Sequence, residues 1–304
     1  MDYIGVREQE LLYQIKNLLR ETGRTSDGIL YHYCTEKTLR LILKDNTLLF
    51  NHISKLNEPC ENRLFYQKFI GTKWKLYNLD SSFAINFEPA LKELLEDRFW
   101  EKEDVYMLCF SNIGDNWANW NIFSRDNDNY GCNIGFERAK LERVMERVFR
   151  RGGINYFISN VIYDDEIKKN KLYDILKSVY DKWIISERTD KEKDILIDSF
   201  KYIISVINPL FKDKYYAQEN EVRVIADLRY HRDQIEGFKL TKTEEKNHFK
   251  INFDISCLKS IGCTSLDTIK NISTEHGGYR DFIRASHYMN DKSDIINNMD
   301  IRWL

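Results

Sequence analysis

From Tyr215 to Ala226 the chain alternates with period two, which sets Glu219, Glu221 and Arg223 on one face of a strand and Val222, Val224 and Ala226 on the other. Such a strand requires a sheet with one face packed on a core. Its charged face then either meets water or lines a cleft, where carboxylates can hold ribose hydroxyls or steady a developing cation. Spacing alone favours the solvated sheet surface.

The rest of the chain supplies that sheet within one large domain. Only three prolines (Pro59, Pro89, Pro209) and thirteen glycines occur in 304 residues, so no stretch resembles a flexible linker between modules. We expect an N-terminal helical extension over 1–26 and a single domain over 27–304. With 46 basic against 48 acidic residues there is no global positive field of the kind a general nucleic-acid binder carries. Six cysteines are scattered without a C-x-x-C pair and several lie in apolar segments, so neither a zinc site nor a disulfide framework is expected, and no metal. No window approaches the roughly eighteen apolar residues of a membrane span, and residues 1–20 lack a signal-peptide core. The expectation is a soluble, cytoplasmic protein with no membrane partner.

Leu11, Leu12, Ile15, Leu18 and Leu19 recur at helical spacing within 5–21. Ile29–Tyr33 has strand propensity, Thr35 can cap a following helix, Glu36 suits its first turn, Leu39, Ile42 and Leu43 form its apolar stripe, and Asn46 ends it. Further strands are expected at 47–53, 105–111, 130–136 and 155–164, the last with Val161–Tyr163 as its most β-like part. Asn57–Pro59 reads as a turn before a mostly helical region with Glu61, Phe65 and Phe69. Residues 112–129 read as a polar loop carrying Trp117 and Trp120, long enough to be functional. Residues 138–151 form a basic helix with six Arg/Lys against two Glu, for which a solvated face is the simpler reading than a phosphate-binding one. A helical insertion spans about 165–211, and strand-like runs at 249–253, 260–263 and 283–287 flank a helix near 265–272.

Familiar nucleotide and hydrolase motifs are missing: no G-x-G-x-x-G after a strand, no G-x-x-x-x-G-K-[ST], no G-x-S-x-G and no H-E-x-x-H. His231-Arg-Asp233 lacks the Asn that a kinase catalytic loop needs, since Phe238 stands there. His52 with Pro59-Cys60 lacks both halves of the deaminase signature.

What remains is His32 on the first strand, Ser111 at the end of a central strand, the aromatics Trp117, Trp120 and Tyr130, and Glu219 and Glu221 late in the chain. Leu30-Tyr-His-Tyr-Cys-Thr35, Leu56-Asn-Glu-Pro-Cys-Glu61, Leu108-Cys-Phe-Ser111, Trp120, Gly131 to Glu137 and Glu219-Asn-Glu-Val-Arg223 together resemble the bacterial family called domain of unknown function 2971, in order over most of 29–288. That family in turn resembles a remote branch of the ADP-ribosyltransferase superfamily. The resemblance implies an α+β fold with a split β-sheet core, an N-terminal helix and a helical insertion, and a bound NAD as substrate. It implies that His32 fixes the adenosine-side ribose and nicotinamide amide, that Ser111 lies beside nicotinamide, and that Glu221, supported by Glu219, is catalytic. The stacking ring would be Tyr130, Trp120 or Tyr33. Two departures stand out: Trp120-Asn-Ile-Phe123 replaces the family's W-x-H-Y run, and Glu58 replaces the Asp of its N-D-P turn.

The chemistry is compatible with these residues. Cleavage of the nicotinamide–ribose bond passes through an oxocarbenium-like state that a nearby carboxylate stabilises. Arg223 beside the pair either keeps a carboxylate ionised or neutralises it as a structural ion pair. The leading expectation is an ADP-ribosyltransferase acting on a protein or nucleic acid, as a toxin or anti-phage effector with an antitoxin or defence-system partner. An NAD glycohydrolase with the same site, a non-catalytic module binding a nucleotide, nucleic acid or partner protein, and a metal-dependent nuclease using Glu58, Glu61 and Asp115 are the alternatives.

Overall fold

The computed structural model describes residues 28–55, 81–93, 104–124, 130–186, 189–229, 238–242 and 247–288. Strand β1 (Ile29–Thr35) leads directly into helix α1 (Glu36–Asp45). The Thr35 hydroxyl accepts from the Thr38 N–H at 3.3 Å, Glu36 meets the positive helix end, and Asn46 closes the helix in the left-handed region at φ 49°. Leu39, Ile42 and Leu43 are its buried stripe.

The remaining elements follow in order. They are β2 (Thr47–His52), α2 (Ser81–Glu93), β3 (Val105–Ser111), α3 (Trp117–Phe123), β4 (Gly131–Glu137), α4 (Arg138–Gly152), β5 (Asn155–Asn160), α5 (Asp165–Ile185), α6 (Asp190–Ile207), β6 (Glu221–Asp227), β7 (Phe238–Lys242), β8 (Asn247–Asn252), β9 (Leu258–Cys263), α7 (Leu266–Glu275) and β10 (Ile283–Ala285). Among the described residues the strands form one ten-stranded mixed sheet in which only β10 and β9 pair in parallel.

The sheet forks at β3. One edge of β3 pairs with β6 along its full length, from Val105↔Asp227 to Ser111↔Glu221. The other edge is shared: β2 holds its start (His52↔Tyr106, Asn51↔Met107) and β1 holds its end (Tyr31↔Ser111). Between those contacts two arms part, one running β1-β4-β9-β10 and the other β2-β8-β7. The α1 crossover joins the arms on one face.

Strand alternation divides the core in two. Leu30, Cys34, Leu108, Phe110, Val222, Val224 and Ala226 pack with α1, α4 and α7. Met107, Phe157 and Ile225 face the other way, against α2, α5 and α6. Helices α2, α5 and α6 therefore form a layer on that face of the sheet, and α+β is the class observed. Cys34, Cys132 and Cys263 form a buried row across β1, β4 and β9 as direct cross-strand partners. Among the described residues no helix is long and apolar enough to cross a membrane.

Several boundaries differ from the sequence reading. The polar loop contains α3, because Asn116 accepts from the Ala118 N–H at 2.9 Å and starts a helix with Ala118, Asn119 and Trp120 buried. The β5 strand stops at Asn160; beyond it, Ile162 makes only an isolated bridge to Phe211. Strand β7, rich in lysine, was not anticipated. The expected helix at 5–21 and the expected turn and helix around 57–69 lie outside the described residues.

Replacing Thr35 with Ala should lower stability by about 1 kcal/mol. A urea titration is expected to show a lower midpoint with an unchanged slope.

Candidate active site

Glu219 does not lie on the strand. A 3₁₀ turn over Lys214–Glu219 ends at Asn220, which takes the left-handed conformation at φ 48°, and β6 begins one residue later. The turn nevertheless returns Glu219 to the same face, where four charged side chains meet out of water. Arg223 grips Glu221 with two hydrogen bonds, Nε to Oε1 at 2.7 Å and Nη2 to Oε2 at 2.8 Å, and donates Nη1 to the Pro209 carbonyl at 2.5 Å. Lys212 lies 2.7 Å from Glu219 Oε2 and 3.5 Å from Glu221 Oε2, and also sits over the Tyr216 ring. The Arg223 side chain is 2 % exposed and the other three 9 %.

Burial acts to raise the Glu221 pKa, but the Arg223 guanidinium and then Lys212 more than offset it, and the carboxyl is held below its ordinary range. Two carboxylates and two cations balance, which is how a buried charged group is kept without a large desolvation loss. Tyr163 joins the cluster by accepting the Glu221 N–H at 3.1 Å, and burial pushes its own hydroxyl pKa up.

A lateral row leads away from this cluster: Glu221 on β6, Ser111 on β3, Tyr31 on β1 and Gly135 on β4 are successive cross-strand partners. The Ser111 hydroxyl donates to the Glu219 carbonyl at 2.8 Å and accepts from the Ile113 N–H at 3.2 Å. Residues 112–116 then cross the row. Gly114 lies so close to Tyr31 that a Cβ there would come within 2.4 Å of the ring. Tyr33 donates to the carbonyls of Ile113 and Gly114 and accepts the Asn116 N–H, Asn133 donates to the Gly114 carbonyl at 2.6 Å, and Asn116 donates to the Gln218 carbonyl at 2.6 Å. Burial raises the Tyr33 pKa, so it acts as a neutral hydroxyl. At the far end Asp115 accepts from Trp120 Nε1 (2.7 Å), Ser286 Oγ (2.6 Å) and the His287 backbone (2.9 Å).

The six candidate ligand residues divide. Ser111, Arg223 and Tyr33 share the face of Glu221, and Trp120 packs edge-on against Tyr33 at 4.7 Å from beneath α3. His32 alternates with Leu30 and Cys34 toward the opposite core, and its ring meets Phe110 edge-on at 5.9 Å. It fills the fork, with Nδ1 donating to the Cys109 carbonyl at 2.9 Å between the points where β1 and β2 leave β3. A carbonyl only accepts, so the proton sits on Nδ1. Burial lowers the His32 pKa against the raising effect of that carbonyl, leaving a neutral ring whose Nε2 can accept. Tyr130 is exposed just before β4, where its carbonyl accepts from the Glu36 N–H and caps α1.

Lys212, Tyr163 and Tyr31 were not singled out from the sequence. Lys212 reaches its partners across an element boundary, which no spacing encodes. Tyr31 was accessible, because period two places it with Tyr33 and away from His32. Among the described residues no group of His, Cys, Asp and Glu is arranged to hold a metal.

A model of the family described as protein of unknown function (DUF2971) matches residues 119–224. The match runs from α3 into β6 and takes in Trp120, Lys212, Glu219, Glu221 and Arg223, so the resemblance read from the sequence is shown over this stretch. No curated protein and no solved structure matches the chain.

Removing one partner from a buried ion pair costs about 3–5 kcal/mol. Glu221→Leu and Arg223→Leu should each destabilise by that order, and the double variant by clearly less than their sum, as read from denaturant unfolding. His32 and Glu221 both have depressed pKa values when folded, so the unfolded chain binds the extra proton in each case. Stability is complete above the ordinary His value of 6.5 and falls as pH drops below it, with Glu221 adding to the loss below 4.5. His32→Phe should flatten the first part of that slope in thermal melts taken across the range.

Proposed function

We propose that the chain is an NAD-dependent ADP-ribosyltransferase whose acceptor is a macromolecule, acting inside a bacterial cell as a toxin or antiviral effector. The observation that carries this reading is the row Tyr31, Ser111, Glu221 on three neighbouring strands, beside a fork filled by His32. In it Ser111 and Glu221, which the superfamily resemblance assigns to the second and third elements, are cross-strand partners, while Tyr31 stands on their face in place of His32, the residue assigned to the first. The ionised state of Glu221 supports it further. In the reaction the bond between ribose C1′ and nicotinamide breaks, its electron pair leaves with nicotinamide, and the acceptor nucleophile attacks C1′ as it loses its proton. Glu221 would stabilise the positive charge that develops on the ribose, and Glu219 with Lys212 would hold it in place. Neutral His32, on the opposite side of the sheet, would act by holding β3 through the Cys109 carbonyl. Water as the acceptor would make the same site a glycohydrolase.

A second reading, a non-catalytic binding module, is favoured by the bidentate contact itself. Both Glu221 oxygens are already bonded to Arg223, and the Ser111 hydroxyl is committed to the backbone. Incubation with NAD labelled on the adenine side, following nicotinamide release and the fate of the label, decides between them. Transfer of label to protein or nucleic acid is expected, with Glu221→Gln and Glu219→Gln each reducing nicotinamide release, Glu221→Gln by about 10²–10³. Circular dichroism and melting temperature confirm that each variant folds. Free ADP-ribose indicates the hydrolase. Turnover unchanged in a folded Glu221→Gln protein overturns the assignment, and no cleavage in the presence of cell lysate leaves the binding module.

A further inference from the structure

The basic helix lies on the opposite layer from Glu221, with Leu141, Met145 and Phe149 in the core beneath it. Its exposed side is a stripe of arginines: Arg143, Arg147, Arg150 and Arg151 are all exposed. At positions i, i+4, i+7 and i+8 they fall within roughly 100° of the helix circumference, with about 6 Å of rise from Arg143 to Arg147 and again to Arg151. The acids on the helix are already engaged, Glu142 with buried Arg138 at 2.8 Å and Glu146 with Arg150 at 3.4 Å. Lys140 is likewise tied to Glu137 and the Ser256 carbonyl. Among the described residues the side chains of Arg143, Arg147 and Arg151 have no hydrogen bond or ion pair. In a chain of formal net charge −2, this leaves three guanidinium groups, those of Arg143, Arg147 and Arg151, on one line without a paired acid among the described residues.

From this arrangement we infer that the outer face of α4 is a docking surface for the phosphate backbone of a nucleic acid. Charge complementarity identifies the partner class. Guanidinium forks match phosphate oxygens in pairs, and regular spacing along one line suits a polymer with a charge at every unit. Contacts to phosphate carry no sequence information, so binding through them is independent of sequence and strongly dependent on salt. The inference stands apart from the NAD reading, because the surface and the Glu221 cluster lie on different faces of the sheet.

Fluorescence anisotropy with a labelled DNA duplex of about 20 base pairs, and with a single-stranded RNA of similar length, tests it. Three or four phosphate contacts predict a salt slope near −3, so affinity for the duplex should fall by about 60-fold between roughly 50 and 200 mM salt. Arg143→Glu/Arg147→Glu should weaken binding at least about tenfold and reduce the slope by about 2, while leaving the fold and any NAD cleavage unchanged. Lys177→Glu/Lys191→Glu, an equal charge change on α5 and α6, should have a much smaller effect. Absence of binding to either probe at low salt overturns the inference, as does equal loss in both double variants or selective retention by an acidic peptide column instead of nucleic acid.

Discussion

A guanidinium shielded almost completely from water has to be compensated on every side, and Arg223 sets the terms for everything around it. Its two donors to Glu221 hold the start of β6, and its third reaches Pro209, just after α6. The helical layer and the sheet are thereby locked at one point where apolar packing gives way to charge. Lys212 then balances the second carboxylate, so removing any one member leaves a buried charge exposed to its own desolvation cost. The same balance keeps Glu221 anionic within a dense interior, a condition that electrostatic catalysis needs and that a purely structural clamp also satisfies.

The second organising constraint is that one edge of β3 serves two strands. A hydrogen-bonding edge can be shared only if its partners diverge, and the carbonyl left between them must find another donor. The His32 imidazole supplies it at Cys109. The ring is therefore held in one tautomer by the sheet itself, with its second nitrogen free of that duty. Tyr33, one residue later, points the other way and anchors the loop over the row of Tyr31, Ser111 and Glu221.

How much of this was legible in the sequence depends on whether the information was local. The unit from β1 to the end of α1 was readable residue by residue, because its cap, first turn, apolar stripe and left-handed asparagine act within a few positions of one another. The apolar alternation of Val222, Val224 and Ala226 was readable for the same reason. Glu219 was misplaced because Asn220 breaks the alternation by a backbone conformation that period-two counting does not register. The α3 helix was hidden by its Asn-rich composition, since the side chain that starts it, Asn116, is typical of loops as well. Lys212 and the fork were not legible at all. Both arise from where separate elements come to rest, and neither leaves a mark on neighbouring residues.

Residues 112–116 illustrate what such long-range construction does to assembly. Their anchors are drawn from the whole length of the described chain: Tyr33 is 81 positions from Gly114, Gln218 is 102 from Asn116, and Ser286 is 171 from Asp115. Each tie closes a large loop, so none forms until distant strands have already met. The turn over the candidate site is thus among the last parts able to settle, and on a ribosome it stays incomplete until the segment around Ser286 has emerged. The order of synthesis delays the completed site until nearly all of the sheet is present.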